Sequence, residues 1–266
     1  MIEQVYCYFE SHGTRNMRHD CSMHVKVSIT STLTIVGEII NTILPVIKRE
    51  YTGAMFEVAA SSWNYKLVLT NIRLRGQNTQ GSSSAIIIQS HSTLELHNVH
   101  FENFESSGNG GVIHGLNCHL QIVDSVFLNN FANDRGGALY SSASSVQISN
   151  TVFQGNSAII NGGAIYTSSG TLTIANSDIL KNQVDGNGGG IYTHGTSVTF
   201  TNVNVKNNTG DNGGGAYLYT GSFHLENAEF VYNRARDGDG GGFYAVDLSS
   251  TSTIDEVLMS ENEAVE

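Results

Sequence analysis

The sequence predicts an all-β fold, a right-handed parallel β-helix in which about eight coils of about 26 residues are stacked. Three observations predict it. A glycine-rich motif, an apolar residue followed three positions later by asparagine, and an alternating pair of apolar residues all recur with this period. Because three series share one period, chance does not explain the repeat. A fixed period of this length is the signature of a solenoid, in which each unit buries its apolar face only against its neighbours.

The glycine motif begins with two glycines and ends in tyrosine or histidine. Its six copies are residues 110–114, 136–140, 162–166, 188–192, 213–217 and 240–244. Their last residues are 26, 26, 26, 25 and 27 positions apart. The residue before the last is apolar in every copy, and we expect it to point inward. The final residue should then form an outward ladder from Tyr140 to Tyr244.

The alternating pairs predict strands, because apolar and polar residues alternate with period two. They are Leu94/Leu96, Leu120/Ile122, Val146/Ile148, Leu172/Ile174, Val198/Phe200 and Phe223/Leu225. We expect Leu172 and Ile174 to point inward, and Thr171 and Thr173 to point outward. Apolar runs of three to five residues are bounded by Gly, Asn, Ser or Asp, and no helical stretch intervenes. One coil is therefore predicted to have three short strands and three turns.

The asparagine series predicts a structural ladder at one corner of the coils. Its members are Asn130, Asn156, Asn182, Asn208, Asn233 and Asn262. A second column consists of Asn98, Asp124, Asn150, Asn176, Asn202 and Asn227. Asparagine tolerates left-handed backbone at a bend, and stacked amides hydrogen-bond along the axis. For both columns a structural role is favoured over a binding role.

Composition limits the function classes. A formal charge of −11 argues against nucleic acid and anionic lipid, which need clustered Lys and Arg. Frequent glycine (29) and scarce proline (1) are typical of many tight turns. No apolar run is long enough for a transmembrane segment, and the N-terminus does not read as a signal peptide.

The repeat predicts a β-helix over residues 24–266, with residues 1–23 as a cap or a disordered segment. The last motif stops in mid-coil just after Asn262, which suggests a fragment of a longer rod. Cys7 and Cys21 could be bridged or could be two free thiols.

A GG[AVI][IL]Y motif is paired with an FxxN-type motif, as in residues 136–140 with 153–156 and residues 162–166 with 179–182. This pairing resembles the polymorphic membrane protein repeat of chlamydiae, well over residues 90–266 and loosely over 24–90. The resemblance implies a secreted or surface-displayed module for adhesion, at the outer membrane where the parent protein carries a barrel. Host or neighbouring surface proteins or glycans are the partners expected of such a module, or it serves as a scaffold.

The alternative function is that of a carbohydrate-active enzyme, because many pectin-lyase-like solenoids cleave polysaccharides. Two carboxylates on adjacent coils would suffice for acid–base chemistry at a glycosidic bond. The sequence offers Asp124, Asp178 and Glu229 near one turn. The Asn-Thr-Asp, Asp-Asp and Gly-His-Gly elements of polygalacturonase-like enzymes are missing. His114 and His194, at or after the last position of the glycine motif, are expected to be surface residues, and no catalytic residue is assigned.

A second acidic group precedes the glycine motifs. Its members are Asp134, Asp185, Asp211 and Asp237. They are either solvated turn residues or a weak calcium-binding edge, since a divalent cation would relieve repulsion between stacked carboxylates. Calcium is the one cofactor that the sequence suggests.

Overall fold

The computed structural model describes residues 20–23, 27–29, 33–36, 44–58, 64–77 and 81–265. These residues form the predicted right-handed parallel β-helix of about eight coils and contain no helix, so the predicted fold is confirmed. The coils can be counted along one column of paired residues. That column is Leu33, Leu67, Leu94, Leu120, Val146, Leu172, Val198 and Phe223.

Short strands make up the coils, and some of them continue around a corner. In the first half they are Asp20–Met23, Val27–Ile29, Leu33–Val36, Val46–Arg49, Phe56–Val58, Lys66–Arg75, Ile86–Gln89, Thr93–Glu102, Glu105–Ser106, Ile113–Leu116, His119–Val123, Val126–Leu128 and Phe131–Ala132. In the second half they are Leu139–Ser149, Val152–Gln154, Ser157–Ala158, Ile165–Leu180, Gln183–Val184, Ile191–Lys206, Thr209–Gly210, Ala216–Glu226, Glu229–Val231, Arg234–Ala235, Phe243–Leu248, Thr253–Asp255, Leu258–Ser260 and Glu263–Ala264.

From Glu105 onward each coil has four sides, where the sequence predicted three. In one coil, side one is residues 139–142, side two is 145–149, side three is 152–154 and side four is 157–158. Side four forms a separate seven-stranded sheet of two-residue strands that begins at Glu105–Ser106. Two residues are too few to show an alternating pattern, which is why the sequence did not reveal this side.

The corners of the coil are single residues with left-handed backbone. Asn150 and Asn176 turn sides two and three with φ of 49° and 48°, as predicted for the second asparagine column. In the first column the left-handed residue is the one before the ladder asparagine, such as Asn129 or Lys181, with φ of 53° and 55°. The expectation that the ladder asparagines themselves are left-handed was wrong. Their side chains point into the coil instead, where they are buried.

The glycine motif provides the corner between sides four and one. Gly162 has φ of 70°, which L side chains rarely adopt. A Cβ at Gly163 would overlap the carbonyl oxygens of Gly189 and Gln183 in the next coil. The first glycine is therefore needed for its backbone angle and the second for close stacking of the coils.

Inward-facing columns of apolar residues fill the solenoid. Leu172 and Ile174 are fully buried while Thr171 and Thr173 are exposed, so the predicted alternation is confirmed. On side three, Phe127 stacks on Phe101 and Phe153 with centroids 5.1 and 4.5 Å apart. These columns make one continuous core along the rod.

The described part of the chain begins at Asp20–Met23, which pairs in parallel with Val46–Arg49. The predicted cap over residues 1–23 stays a prediction, since residues 1–19 lie outside the described residues. Cys7 and the side chain of Cys21 lie outside them too. Cys118 is a buried free thiol in contact with Ser144, and burial raises the pKa of that thiol to about 11.

Candidate functional site

The last residues of the glycine motifs form a column of aromatic side chains on the outside of side one. It consists of His114, Tyr140, Tyr166, Tyr192, Tyr217 and Tyr244. We call it the tyrosine ladder. Ring centroids of successive members are 5.0 to 5.2 Å apart. From Tyr140 to Tyr217 the rings are parallel to within 5°, so the outward ladder predicted from the sequence is confirmed.

Stacking exposes the rims of the rings and covers their faces. Most members are half-buried, and Tyr166, in the middle, is only 8% exposed. Burial raises the pKa of Tyr192 to about 12, and that of Tyr166 and Tyr217 is also raised, first by burial and then by neighbouring phenols. The phenols are therefore neutral donors and acceptors at physiological pH.

Polar columns flank the ladder on both sides. Two residues further along side one, the outward positions are Ser142, Ser168, His194 and Tyr219. On the other flank, Asn161 accepts a hydrogen bond from the backbone N–H of Asn187 at 3.0 Å. The aromatic row of side one thus lies between a row that bears mostly hydroxyl groups and a row of amides at the corner before side one, which suits contact with an extended partner.

Arg135 lies in the flanking amide row and was not singled out from the sequence. Its guanidinium carbon is 5.5 Å from the centroid of the Tyr166 ring, a cation–π contact. The sequence does contain a signal for it: Arg135 stands at the repeat position where the next two coils have Asn161 and Asn187, so it departs from the repeat.

The first asparagine column is buried inside the coils, at the corner between sides three and four. Asn130, Asn156, Asn182, Asn208 and Asn233 are at most 1% exposed. The backbone N–H of Asn182 donates to the side-chain oxygen of Asn208 at 2.8 Å, and its amide nitrogen donates to the same oxygen at 3.0 Å. Asn262 receives the last pair of bonds, from Asn233. Because their oxygens and amide nitrogens bond to neighbouring coils inside the core, these side chains are not available to bind a partner.

The four aspartates before the glycine motifs do not form one column. Asp185 and Asp211 lie three residues after their ladder asparagines, whereas Asp134 and Asp237 lie four residues after theirs. Asp134 and Asp185 occupy different places in loops of equal length, whereas the loops that contain Asp211 and Asp237 are one residue shorter and one residue longer. Among the residues that the structure describes, no three His, Cys, Asp or Glu side chains come together to hold a metal ion.

Arg236, a residue that the sequence did not assign to this group, binds Asp211 and Asp185. Its Nη2 donates to the Asp211 carboxylate at 2.9 Å and to the carbonyl oxygens of Val184 and Asp185 at 2.6 and 3.0 Å. Its Nη1 lies 3.9 Å from the Asp185 carboxylate. The two carboxylates on neighbouring coils are thus already paired with a positive charge.

The carboxylates of Asp124, Asp178 and Glu229, the candidates for acid–base chemistry, each contact an asparagine or a lysine. Asp178 and Glu229 lie in one column with Asn204 between them. Asp178 accepts a hydrogen bond of 2.7 Å from Asn204, and Glu229 pairs with Lys206 at 2.5 Å. Asp124 stands at a different corner, where it accepts from Asn150. The structure therefore does not bring these three carboxylates together.

Comparison with known proteins gives the family. No curated protein and no solved structure matches the chain significantly. No helix long and apolar enough to cross a membrane occurs in the described ranges. A family model described as the right-handed beta helix region matches residues 60–258, which is more than half of the chain. The match covers the coils that carry the tyrosine ladder and most of the asparagine ladder, and the chain therefore belongs to the right-handed beta helix family.

Proposed function

We propose that this chain is a cell-surface or secreted β-helix module that acts in adhesion or as a scaffold, and that the tyrosine ladder is its contact surface. The observation that carries the proposal is the row of aromatic rims at 5.0 to 5.2 Å along side one. Tyrosine is enriched at binding interfaces because it combines apolar area with a polar tip and little conformational entropy. Rings that are stacked beforehand lose still less entropy on binding.

The shape of this surface favours an extended partner. Contacts repeat at every coil, so a partner with its own short repeat, such as a glycan chain or an extended peptide, would meet equivalent groups along the rod. Between these two, the flanking hydroxyl and amide columns favour a glycan, which is rich in hydroxyl groups. The location outside the cell is part of the proposal and is supported by the resemblance to surface-displayed repeats.

A binding panel tests the proposal. Immobilised acidic and neutral polysaccharides would be exposed to the native chain and to the double variant Tyr192→Ala/Tyr217→Ala. We expect retention of the native chain on at least one polysaccharide and its loss in the double variant. Tyr192→Phe/Tyr217→Phe keeps the stacked rings and removes only hydroxyl groups, so it should bind with intermediate strength.

The matched control is Tyr232→Asn. Tyr232 is 58% exposed, away from the ladder, at a left-handed corner where the preceding coil has Asn207. This variant loses an exposed tyrosine without changing the ladder and should bind like the native chain. If the native chain, the ladder variants and the control all bind equally, the tyrosine ladder is not the contact surface.

The second candidate is a carbohydrate-active enzyme. The favouring observation is that Asp185 and Asp211 lie on neighbouring coils and that Arg236 is within 4 Å of both carboxylates, at 3.9 and 2.9 Å. Coils are stacked about 5 Å apart, within the range that two-carboxylate catalysis uses. Incubation with the same polysaccharides, followed by assay for new reducing ends or unsaturated products, tests it. If the native chain cleaves a polysaccharide and Asp185→Asn or Asp211→Asn does not, the enzymatic function would be favoured over the adhesive one.

A further inference from the structure

Arg135 is the one arginine of the described residues whose guanidinium has neither a hydrogen bond nor an ion pair. Each of the others contacts a carboxylate or a carbonyl oxygen; they are Arg49, Arg73, Arg75, Arg234 and Arg236. Arg135 has the cation–π contact with Tyr166 instead, with 5.5 Å between its guanidinium carbon and the ring centroid. An unpaired guanidinium is a strong donor to anions, because charge-assisted hydrogen bonds to carboxylates are short and strong.

The accessible part of Arg135 is the end of its guanidinium. Its Nε is buried and has no hydrogen-bond partner. Nη1 and Nη2 have no partner among the described residues either, but they are not buried. The planar guanidinium presents N–H groups as a fork that matches the two oxygens of one carboxylate. The free end of Arg135 is therefore suited to a carboxylate that arrives from solvent.

This free guanidinium lies beside the tyrosine ladder. Burial raises the pKa of Tyr166, and the positive charge of Arg135 opposes that rise. Burial and the neighbouring phenols raise the pKa of Tyr192, and Arg135 opposes this rise as well. The charge of Arg135 thus acts on two phenols of successive coils. A ligand that contacts the ladder at these coils comes within reach of the guanidinium.

The row that contains Arg135, at the corner before side one, changes from positive to negative along the rod. We call it the corner row; its members are Arg135, Asn161, Asn187, Asn212 and Asp239. In the described part of the chain, the amide nitrogens of Asn161 and Asn187 have no hydrogen-bond partner and are not buried, so they are available donors. Asp239 is exposed and lies about 19 Å from Arg135 at ~4.8 Å per coil. It repels an anionic group at that end of the row.

From these observations we propose that the ligand of the tyrosine ladder is a mostly neutral glycan with isolated carboxylates, and that Arg135 binds one such carboxylate. The neutral sugars would lie along the ring rims and accept hydrogen bonds from Asn161 and Asn187. A polymer with a carboxylate on every sugar would also place negative charge against Asp239, which disfavours it. This inference rests on the proposed function, since it names the chemistry of the partner that the ladder contacts.

Affinity measurements on three polysaccharides test the inference. They are glucuronoxylan, in which uronic acid branches are scattered along a neutral chain, the same polymer after reduction of its carboxyl groups, and polygalacturonate. We expect the native chain to bind glucuronoxylan about tenfold more tightly than the reduced polymer, and more tightly than polygalacturonate. Arg135→Asn should bind glucuronoxylan and the reduced polymer about equally. Asp239→Asn should strengthen binding of polygalacturonate and leave that of glucuronoxylan unchanged.

The variants are matched to the repeat. Arg135→Asn introduces the residue that the next two coils have at this position, and it breaks no hydrogen bond of the Arg135 side chain. Arg234→Gln removes one positive charge, from an exposed pair with Glu263, and should bind all three polymers as the native chain does. Circular dichroism would confirm that each variant is folded.

The outcomes separate this inference from the proposed function. If the native chain binds glucuronoxylan and its reduced form equally, and Tyr192→Ala/Tyr217→Ala binds neither, the ladder is the contact surface and the role of Arg135 is overturned. Tightest binding of polygalacturonate, or equal losses in Arg135→Asn and Arg234→Gln, would overturn it too. A native chain that binds no polysaccharide at all would remove the glycan partner, and this inference with it.

Discussion

The backbone N–H of Asn156 donates to the side-chain oxygen of Asn182 at 2.8 Å, and the Asn156 amide nitrogen donates to the same oxygen at 3.1 Å. One buried acceptor thus satisfies two donors of the neighbouring coil. The Asn182 amide nitrogen in turn donates to the carbonyl oxygen of Phe153 at 3.0 Å. The arrangement repeats along the rod, so the ladder asparagines between the first and the last link their own coil to the coils before and after it by hydrogen bonds.

Asn182→Ala should therefore be strongly destabilising. It leaves the backbone N–H of Asn156 without an acceptor in the core, and the Asn156 amide keeps only its bond to the carbonyl oxygen of Phe127. Each buried unsatisfied group costs about 1–3 kcal/mol. We expect the free energy of unfolding, measured in urea, to fall by about 2–5 kcal/mol. The control is Asn176→Gly, at an exposed left-handed corner, which should change it by less than about 1 kcal/mol. Equal losses would show that the ladder has no special role.

The inward columns give a second prediction. Ile165 and Ile174 are fully buried, so Ile165→Asp or Ile174→Asp places a carboxylate in the core without a partner. We expect a loss of several kcal/mol and at least local unfolding of the rod. Thr173→Asp, on the outward side of the same strand, is the control. Thermal melting followed by circular dichroism is the measurement, and native-like melting of the Ile174 variant would contradict the inward assignment.

Arg49 is a buried arginine at the end of the side-three strand Val46–Arg49, and its guanidinium reaches Glu105, the first residue of side four. Its Nη1 donates to the carbonyl oxygen of Ser83 at 2.6 Å, its Nη2 donates to that of Glu105 at 3.2 Å, and its guanidinium lies 5.0 Å from the Phe104 ring centroid. Arg49→Met keeps the length and loses both bonds. We expect it to destabilise the chain by about 2–4 kcal/mol in urea unfolding. Arg75→Met, which removes a partly exposed pair with Glu102 and no contact in the core, should cost about 1 kcal/mol or less.

Much of this architecture could be predicted from the sequence, because whatever repeats is visible as a period. Ile174, Tyr192 and Asn182 each belong to a column with one member per coil. Arg49 and Arg236 occur once, and their effect depends on a long side chain that reaches across two coils. No period reveals such contacts. The paired state of Asp185 and Asp211 was therefore missed, although the aspartates themselves were identified.

The tyrosine ladder predicts sensitivity to alkaline pH. Burial raises the pKa of Tyr192 to about 12, against about 10 in an unfolded chain. The unfolded state then loses protons first, so stability is complete below about pH 10 and falls between about pH 10 and 12. We expect phenolate absorbance and loss of the β-sheet circular dichroism signal to rise together in this range. Tyr192→Phe should shift the transition to higher pH. Ionisation of Tyr192 near pH 10, measured as the difference in phenolate absorbance between the native chain and Tyr192→Phe, with an unchanged circular dichroism signal would contradict the prediction.

Calcium should affect the chain only after Arg236 is removed. In the native chain the Arg236 guanidinium offsets one of the two negative charges of Asp185 and Asp211, and its Nη2 lies 2.9 Å from the Asp211 carboxylate, so a divalent cation gains little there. Arg236→Gln leaves the two carboxylates on neighbouring coils without that charge. A site of few carboxylates binds calcium with a dissociation constant of about 0.1–1 mM, so about 10 mM calcium would add roughly 1–3 kcal/mol.

Thermal melting with calcium and with chelator measures this effect. We expect the melting temperature of Arg236→Gln to be higher with calcium by about 2–8 °C, and that of the native chain to stay constant. Asp185→Asn added to Arg236→Gln should abolish the response. Arg234→Gln, which removes only an exposed pair with Glu263, controls for the loss of one positive charge. A native chain that calcium stabilises would mean that the cation binds beside or in place of the guanidinium, and that Arg236 does not block the aspartates.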